Sequence, residues 1–269
     1  MATLLATLLV GAGGSASAAV NVCSKTISSC GCSIKSAGVY TVSGALTLAS
    51  NSDCISIGTK NVVLNLNGNT ITGPGNGSTG SAVHVKNASS VWIEGQGNSS
   101  SQAIISGWKY GIENDGNDVL IENVSTTGNA KAGIYFFKAN DSQVVNFNSS
   151  ANAGYGVWLS SGGNDQVGIG TTSGNALDGV FIGCVGTGSG TCATGGGNAK
   201  SNSIFDVTAN NNSGGGITVQ FNSDFNQVGK CTASGNSTFD LSDKHGGASC
   251  AHNLWFANTA GTVNKACVQ

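Results

Sequence analysis

Gly111-Ile112-Glu113, Gly133-Ile134-Tyr135, Gly156-Val157-Trp158, Gly179-Val180-Phe181 and Gly216-Ile217-Thr218 are one motif, repeated at steps of 22, 23, 23 and 37 residues. A second marker runs in phase with it. Thr127-Gly128-Asn129, Ala151-Asn152, Ser173-Gly174-Asn175, Ala209-Asn210-Asn211 and Ser234-Gly235-Asn236 each close a short run of β-forming residues. A fixed period of this length is the mark of a solenoid. Inside each repeat apolar and polar residues alternate one by one, which is the period of a strand and not of a helix. Each unit therefore carries two or three short strands joined by Gly/Asn turns, because Gly and Asn tolerate the left-handed backbone that tight turns need. The long fourth step holds a Gly-rich insertion containing Cys184 and Cys192.

One coil cannot bury its own inner face; stacked coils can, since each strand pairs with its equivalent about 4.8 Å above and below. Asn at equivalent turns can then stack into amide ladders. Earlier coils fit with looser spacing, in Val62 to Gly73 and in Ala82-Val83-His84-Val85 followed by Val91-Trp92-Ile93. We expect about eight coils between residues 38 and 240, an N-terminal cap over 19–54 and a C-terminal cap over 240–269.

The composition agrees. The chain has 269 residues with 42 Gly, 30 Asn and a single proline, Pro74. Gly and Asn are poor helix formers, which argues against a bundle. Collagen would need abundant proline. The net charge is −2, and all 11 basic residues are lysines, so the clustered Arg/Lys of a nucleic-acid binder is absent. A 39% hydrophobic fraction supplies a core and argues against disorder.

Leu4 to Val10 is an apolar run followed by Ala16-Ser17-Ala18, which reads as a signal peptide over 1–18 with a small-residue cleavage site. No later stretch has the length of a membrane helix. All nine cysteines follow that site, as suits an oxidising compartment. Cys23, Cys30, Cys32 and Cys54 cluster at one end, Cys184 and Cys192 flank the insertion, Cys250 and Cys267 bracket the tail, and Cys231 is left over. The mature chain is expected to be secreted or held at the cell surface, with disulfides closing both ends of the solenoid.

If Ile112, Ile134, Val157, Val180 and Ile217 point inward, the residue after each points outward. One outward column then reads Ser56, His84, Glu113, Tyr135, Trp158, Phe181, Thr218, and its neighbour reads Gly58, Lys86, Asp115, Phe137, Ser160, Gly183, Gln220. In a chain with 9% charged residues, His84, Lys86, Glu113 and Asp115 form a concentrated patch. A carboxylate beside a His or Lys can share acid–base work, so these four are the catalytic candidates. Lys86 or His84 would serve as base. Glu113 and Asp115 could hold Ca²⁺, or act as a carboxylate pair in glycoside hydrolysis. Tyr135, Phe137, Trp158 and Phe181 offer flat apolar faces to sugar rings, or pack on one another as a cross-strand ladder or an assembly surface. His245 and His252 lie in the tail, apart from other ligand types, and are read as cap residues; no residue is assigned to a metal. Asp115-Gly116-Asn117-Asp118 and Gly162-Gly163-Asn164-Asp165 are read as turns.

Leu64-Asn65-Leu66-Asn67-Gly68-Asn69-Thr70-Ile71-Thr72-Gly73, the upstream Cys32-Ser33-Ile34 and Asp53-Cys54-Ile55, and the tail from Asp240 to Gln269 resemble secreted members of the pectate-lyase-like superfamily. The resemblance covers nearly all of the expected mature chain. It implies an all-β, right-handed parallel β-helix, and an activity on extracellular polysaccharide by binding, by lyase-type chemistry or by hydrolysis. A non-catalytic structural or adhesion protein, self-associating through the aromatic stripe, is the alternative. The Arg base of pectate lyases and the Asp-Pro-His-Asp motif of alginate epimerases are both missing here, which leaves Lys86 and His84 in the place of a base.

Overall fold

The computed structural model describes residues 21–75, 77–97, 100–184, 198–245, 250 and 252–269. The expected signal peptide and Cys192 lie outside the described residues. Among the described residues, strand pairing is parallel, and each strand pairs with its equivalent one turn of the coil away. The chain is a right-handed parallel β-helix, the hand that parallel crossovers adopt almost without exception. Its coils run through Gly38–Val42, Val62–Asn65, Ser89–Glu94, Asn117–Glu122, Gln143–Ser149, Gln166–Ser173, Ser203–Asn210 and Gln227–Gly229 on one face, which makes the expected eight turns. Thr26–Ile27 adds a strand below and Leu254–Phe256 one above.

The site lies on a second face. That face stacks Ile55–Ile57, Ser81–Val85, Tyr110–Asn114, Ala132–Asn140, Tyr155–Gly163, Val180–Ile182, Ile217–Val219 and Leu241–Asp243. The register reproduces the column Ser56, His84, Glu113, Tyr135, Trp158, Phe181, Thr218 one residue per coil. Ile112, Ile134, Val157, Val180 and Ile217 are wholly buried, so the inward assignment holds. Each such side chain contributes roughly 1.5–3 kcal/mol by leaving water.

A ladder of buried amides closes the turn before this face. Asn129 Nδ2 donates to Asn152 Oδ1 at 2.9 Å, Asn152 to Asn175 at 3.0 Å, Asn175 to Asn212 at 3.0 Å and Asn212 to Asn236 at 2.9 Å. Asn236 Nδ2 ends on Asp240 Oδ1 at 2.7 Å. The ladder residue of the fourth coil is thus Asn212, one place beyond the expected Asn211. Asn211 instead supplies the left-handed residue (φ 55°) that Gly128, Ala151, Gly174 and Gly235 supply elsewhere. The repeated motif's glycine follows from the same ladder. A Cβ on Gly156 would lie 2.5 Å from the Gly179 carbonyl oxygen and 2.9 Å from Asn175 Nδ2, so only glycine fits beside the amides.

Disulfides join Cys23 to Cys32, Cys30 to Cys54 and Cys250 to Cys267, staples at both ends of the coil. Cys184 is also disulfide-bonded. Cys231 is a free, buried thiol, and burial pushes it up to about 11, so it packs as a small apolar residue. No helix among the described residues is long and apolar enough to cross a membrane.

Candidate functional site

His84 sits on its strand with Glu113 one coil above and Ser56 one coil below. Its ring bridges two carboxylates. Nδ1 lies 3.0 Å from Asp53 Oδ2, and Nε2 lies 3.1 Å from Asp115 Oδ2. Glu113 Oε2 is 3.6 Å from Nδ1 and accepts a 2.6 Å hydrogen bond from the Ser81 hydroxyl. Lys86 joins through Asp53, with Nζ 2.8 Å from Oδ2. The four ionisable residues expected from the sequence are therefore brought into one network centred on His84, with Asp53 linking Lys86 to it.

Asp53 was not singled out in the sequence because it precedes its strand, in the turn that leads to Ile55. The signal was its position two residues before an inward isoleucine. It accepts from the Ser81 backbone amide at 2.9 Å and from the Ser56 hydroxyl at 3.2 Å as well as from His84 and Lys86. Burial would raise its pKa, but these donors outweigh burial and hold it well below the usual carboxylate range. Burial likewise disfavours charge on His84, yet the hydrogen bonds to Asp115 and Asp53 and the charge of Glu113 push it up to about 9. His84 is an imidazolium at neutral pH. Glu113 moves the other way from Asp53: its burial, with the charge of Asp115 behind it, outweighs His84 and Ser81 and raises its pKa.

This electrostatic order recasts the expected roles. A base must hold a free lone pair near neutral pH, and His84 does not. Glu113, the carboxyl with the raised pKa, lies against one ring nitrogen of His84, and Asp115 lies against the other. One ring nitrogen of His84 and one carboxylate oxygen each of Glu113 and Asp115 lie within 4.8 Å of one another. Those atoms fit Ca²⁺ poorly, since that ion takes about six to eight oxygen ligands and a cation already lies among these carboxylates. Asp115 Oδ1 is buried with no hydrogen-bond partner.

Directly above Glu113 the same column turns aromatic. Tyr135 and Trp158 rings lie 4.5 Å apart, Tyr135 and Phe137 5.9 Å, and Trp158 and Phe181 6.5 Å. Tyr110 and Tyr155, two residues before the inward Ile112 and Val157, complete the stack. Tyr110 stacks on Tyr135 at 4.4 Å, and Tyr155 on Phe181 at 4.8 Å. Tyr135 and Phe181 are buried in this ladder, whereas Phe137, Trp158 and Tyr155 keep part of their surface. Trp158 Nε1 donates to the Gly183 carbonyl at 2.8 Å, which fixes the indole on the face. Burial raises the Tyr135 and Tyr155 phenols to about 12, so both stay protonated.

Concave surface flanks the column at both ends. Below, Ser33, Asp53, Ser56, Thr79 and Lys86 line a groove of about 520 Å³. Above, Tyr155, Asp178, Phe181, Thr218, Gln220 and Lys244 line one of about 280 Å³.

The A-module of mannuronan C-5 epimerase AlgE6 from Azotobacter vinelandii has a similar structure, with a TM-score of 0.61 and 13% identity over 87% of this chain and 66% of that one. The enzymatically active domain of tailspike protein 2 from bacteriophage CBA120 gives a TM-score of 0.57 and 13% identity over 91% of this chain. The chain shares its parallel β-helix fold with both. It spans 66% of the epimerase module and 41% of the tailspike domain, and at such identity the likeness is one of fold. Protein-family models and curated proteins gave no match.

Proposed function

We propose that this chain is a secreted or cell-surface β-helix that binds an extracellular polysaccharide along its charged and aromatic column and hydrolyses it. The observation that carries the reading is the pairing of Glu113, whose pKa is raised, with Asp115 across the His84 imidazolium, all within 4.8 Å. Glycoside hydrolysis uses a pair of carboxyl groups, one of which holds a proton for the leaving oxygen. Glu113 donates a proton to the glycosidic oxygen, and Asp115 supplies the second carboxylate. His84 and Lys86 neutralise the excess negative charge around them.

A lyase-type mechanism is less well served. Its base would have to be His84, which is protonated, or Lys86, whose amine is held 2.8 Å from Asp53. The partly exposed rings of Phe137, Trp158 and Tyr155 give sugar rings a stacking surface. Disulfides at both ends suit an extracellular setting, and a mannuronan epimerase and a phage tailspike use the same fold.

One observation favours a non-catalytic reading, that of a structural or self-associating surface protein. Tyr135 and Phe181, two of the expected sugar-binding rings, are consumed by packing on their neighbours. A panel of neutral and uronic polysaccharides, assayed for new reducing ends and for unsaturated products, separates the readings. Reducing ends without unsaturation, reduced by Glu113→Gln about 10²–10⁴-fold with binding kept, are expected. Unsaturated products would replace hydrolysis by elimination. Absence of both binding and products across the panel would leave the structural reading.

A further inference from the structure

A second cluster of ionisable side chains lies at the C-terminal end of the helix, away from the column. Asp224 follows the Ile217–Val219 strand, His245 follows Leu241–Asp243 one coil later, and His252 precedes Leu254–Phe256. The two tail histidines, which the sequence left apart from other ligand types, converge on one carboxylate oxygen. Asp224 Oδ1 is 2.9 Å from His245 Nε2 and 3.0 Å from His252 Nδ1. The three ligand atoms all lie within 4.8 Å of one another. We propose that Asp224, His245 and His252 bind one divalent first-row transition ion, with Zn²⁺ the best fit, at a site that staples the C-terminal cap to the coil beneath it.

Four features carry this. The donor set comes first: two imidazoles and one carboxylate suit Zn²⁺ and its neighbours, whereas Ca²⁺ and Mg²⁺ prefer all-oxygen sites. Spacing is the second. Ligands at about 2.0–2.1 Å from a tetrahedral ion lie about 3.3 Å from each other, so the 2.9 and 3.0 Å contacts open by only a few tenths of an ångström to admit it.

The support behind His245 is the third. Its Nδ1 lies 2.8 Å from Asp243 Oδ1, a wholly buried carboxylate. Asp243 is itself fixed by the His245 backbone amide at 3.0 Å, by Asn253 Nδ2 at 3.1 Å and by Trp255 Nε1 at 3.2 Å. A carboxylate on the far nitrogen of a ligating imidazole is the outer shell that orients such ligands.

Access is the fourth. The His252 side chain is 58% exposed, and Phe221 and Phe225 stand exposed beside the two imidazoles, so the ion enters from solvent and keeps an outward position for water or a ligand's oxygen. Lys200 Nζ stays 3.7 Å away on the other Asp224 oxygen, Oδ2.

The test uses the purified full chain, stripped with EDTA and titrated with Co²⁺, whose visible absorption reports low-coordinate nitrogen and oxygen ligation. We expect one Co²⁺ per chain at this site, displaced by Zn²⁺, and a melting temperature raised by Zn²⁺ but not by Ca²⁺. His252→Ala removes an exposed ligand without touching the core. It should abolish the band with the circular dichroism spectrum unchanged. Asp243→Asn should weaken Zn²⁺ about 10–100-fold, which a merely structural Asp243 would not do in a variant that still folds. Absence of a Co²⁺ band, a band that survives in His252→Ala, or a band lost instead in His84→Ala would each overturn the proposal.

Discussion

One outward column of this solenoid is built from two chemistries, and its halves answer to different rules. Below, His84 and Glu113 join Asp53, Lys86 and Asp115 in a network of alternating sign. Above, Tyr135, Trp158 and Phe181 repeat like on like, with Tyr110 and Tyr155 filling the gaps. The difference follows from the coil itself. Stacking sets every residue about 4.8 Å from its equivalent, so a column is a run of forced contacts. Rings and amides satisfy one another when repeated, because a ring presents both face and edge, and an amide both donor and acceptor. Charges do not, so a charged column must alternate in sign or hold a proton on one of two like neighbours. Glu94 and Glu122 show the second outcome. They are direct neighbours in the register, and while burial opposes charge on both, the hydrogen bond with Glu122, then Asn123 and two backbone amides, draw the Glu94 pKa down and Glu94 itself drives that of Glu122 up.

The largest effect is expected where like stacks on like. Trp158→Ala removes ring contacts to Tyr135, Tyr155 and Phe181 and the hydrogen bond to Gly183. The indole is only partly buried, so we expect a loss of about 2–3 kcal/mol, below the full range for a core aromatic. Urea unfolding measures it. A loss under about 0.5 kcal/mol, the level of an ordinary surface change, would mean that the rings stand ready for a ligand and do not hold the face together.

The ionic half should break through pH. The His84 pKa is raised from 6.5 to about 9 in the folded state, so its contribution to stability is complete below pH 6.5 and is lost as pH rises through 9. Asp53 has the opposite sign, its pKa being lowered from 3.8, and it loses its contribution as pH falls below that value. The contributions of His84 and Asp53 are therefore both complete between about pH 4 and 6.5, while that of Glu113, whose pKa is raised, erodes as pH rises above 4.5. His84→Gln leaves three carboxylates around a neutral amide. We expect a loss of about 1–3 kcal/mol at pH 6, moderated by partial exposure, and little further loss between pH 7 and 9.5 where the native chain declines. A native melting temperature flat over that range would sink the account.

A third column tests the rule inside the protein. Ser142, Asp165, Asn202, Asn226 and Asn253 form a second buried ladder through their side chains and backbone amides. Asn202 Nδ2 donates upward to Asn226 Oδ1 at 3.0 Å. Asp165 has an oxygen, Oδ2, where that donor would be, and it is buried without a partner. Burial raises the Asp165 carboxyl from 3.8 to about 8, so its proton is kept in the fold at neutral pH. The sign is that of a raised pKa: stability is complete below pH 3.8 and erodes as pH rises through 8. Asp165→Asn restores the donor and should stabilise the chain by about 1–2 kcal/mol at pH 8.5, with a smaller gain at pH 5. An equal gain at both values would remove the charge argument.

The sequence made the columns legible because a single inward residue per coil, such as Ile112 or Val157, fixes the side of its neighbours. It did not show what enters a column from a turn. Asp53 reaches His84 from outside the strand, and Tyr110 and Tyr155 occupy the same face immediately before the glycine of the motif used to set the register. Asn212 was displaced by one place because the fourth coil has three consecutive asparagines, Asn210, Asn211 and Asn212, and composition alone does not tell which takes the left-handed turn. The meeting of Asp224 with His245 and His252 was hidden for another reason. These residues lie 21 and 28 apart, and the coils near the tail no longer keep the period of the middle.

Backbone conformation obeys the column rule too, and here the smallest effect is expected. Asn123, Asn146, Ile169, Asp206 and Lys230 occupy one bend in successive coils, all at φ between 51° and 58°. Asn and Asp accept this left-handed region because their short side chains bond locally, while a β-branched residue there is a steric outlier. Ile169 is such a residue and is 61% exposed, so its side chain returns little burial for the strain. Ile169→Asn should raise stability by about 1 kcal/mol, or a melting temperature shift of about 2–4 °C for a domain of this size. Ile169→Val keeps the branch and should gain nothing. If the two variants melt together, the bend is set by the neighbouring coils alone, and the rule that a stacked position dictates its residue stops at the side chain.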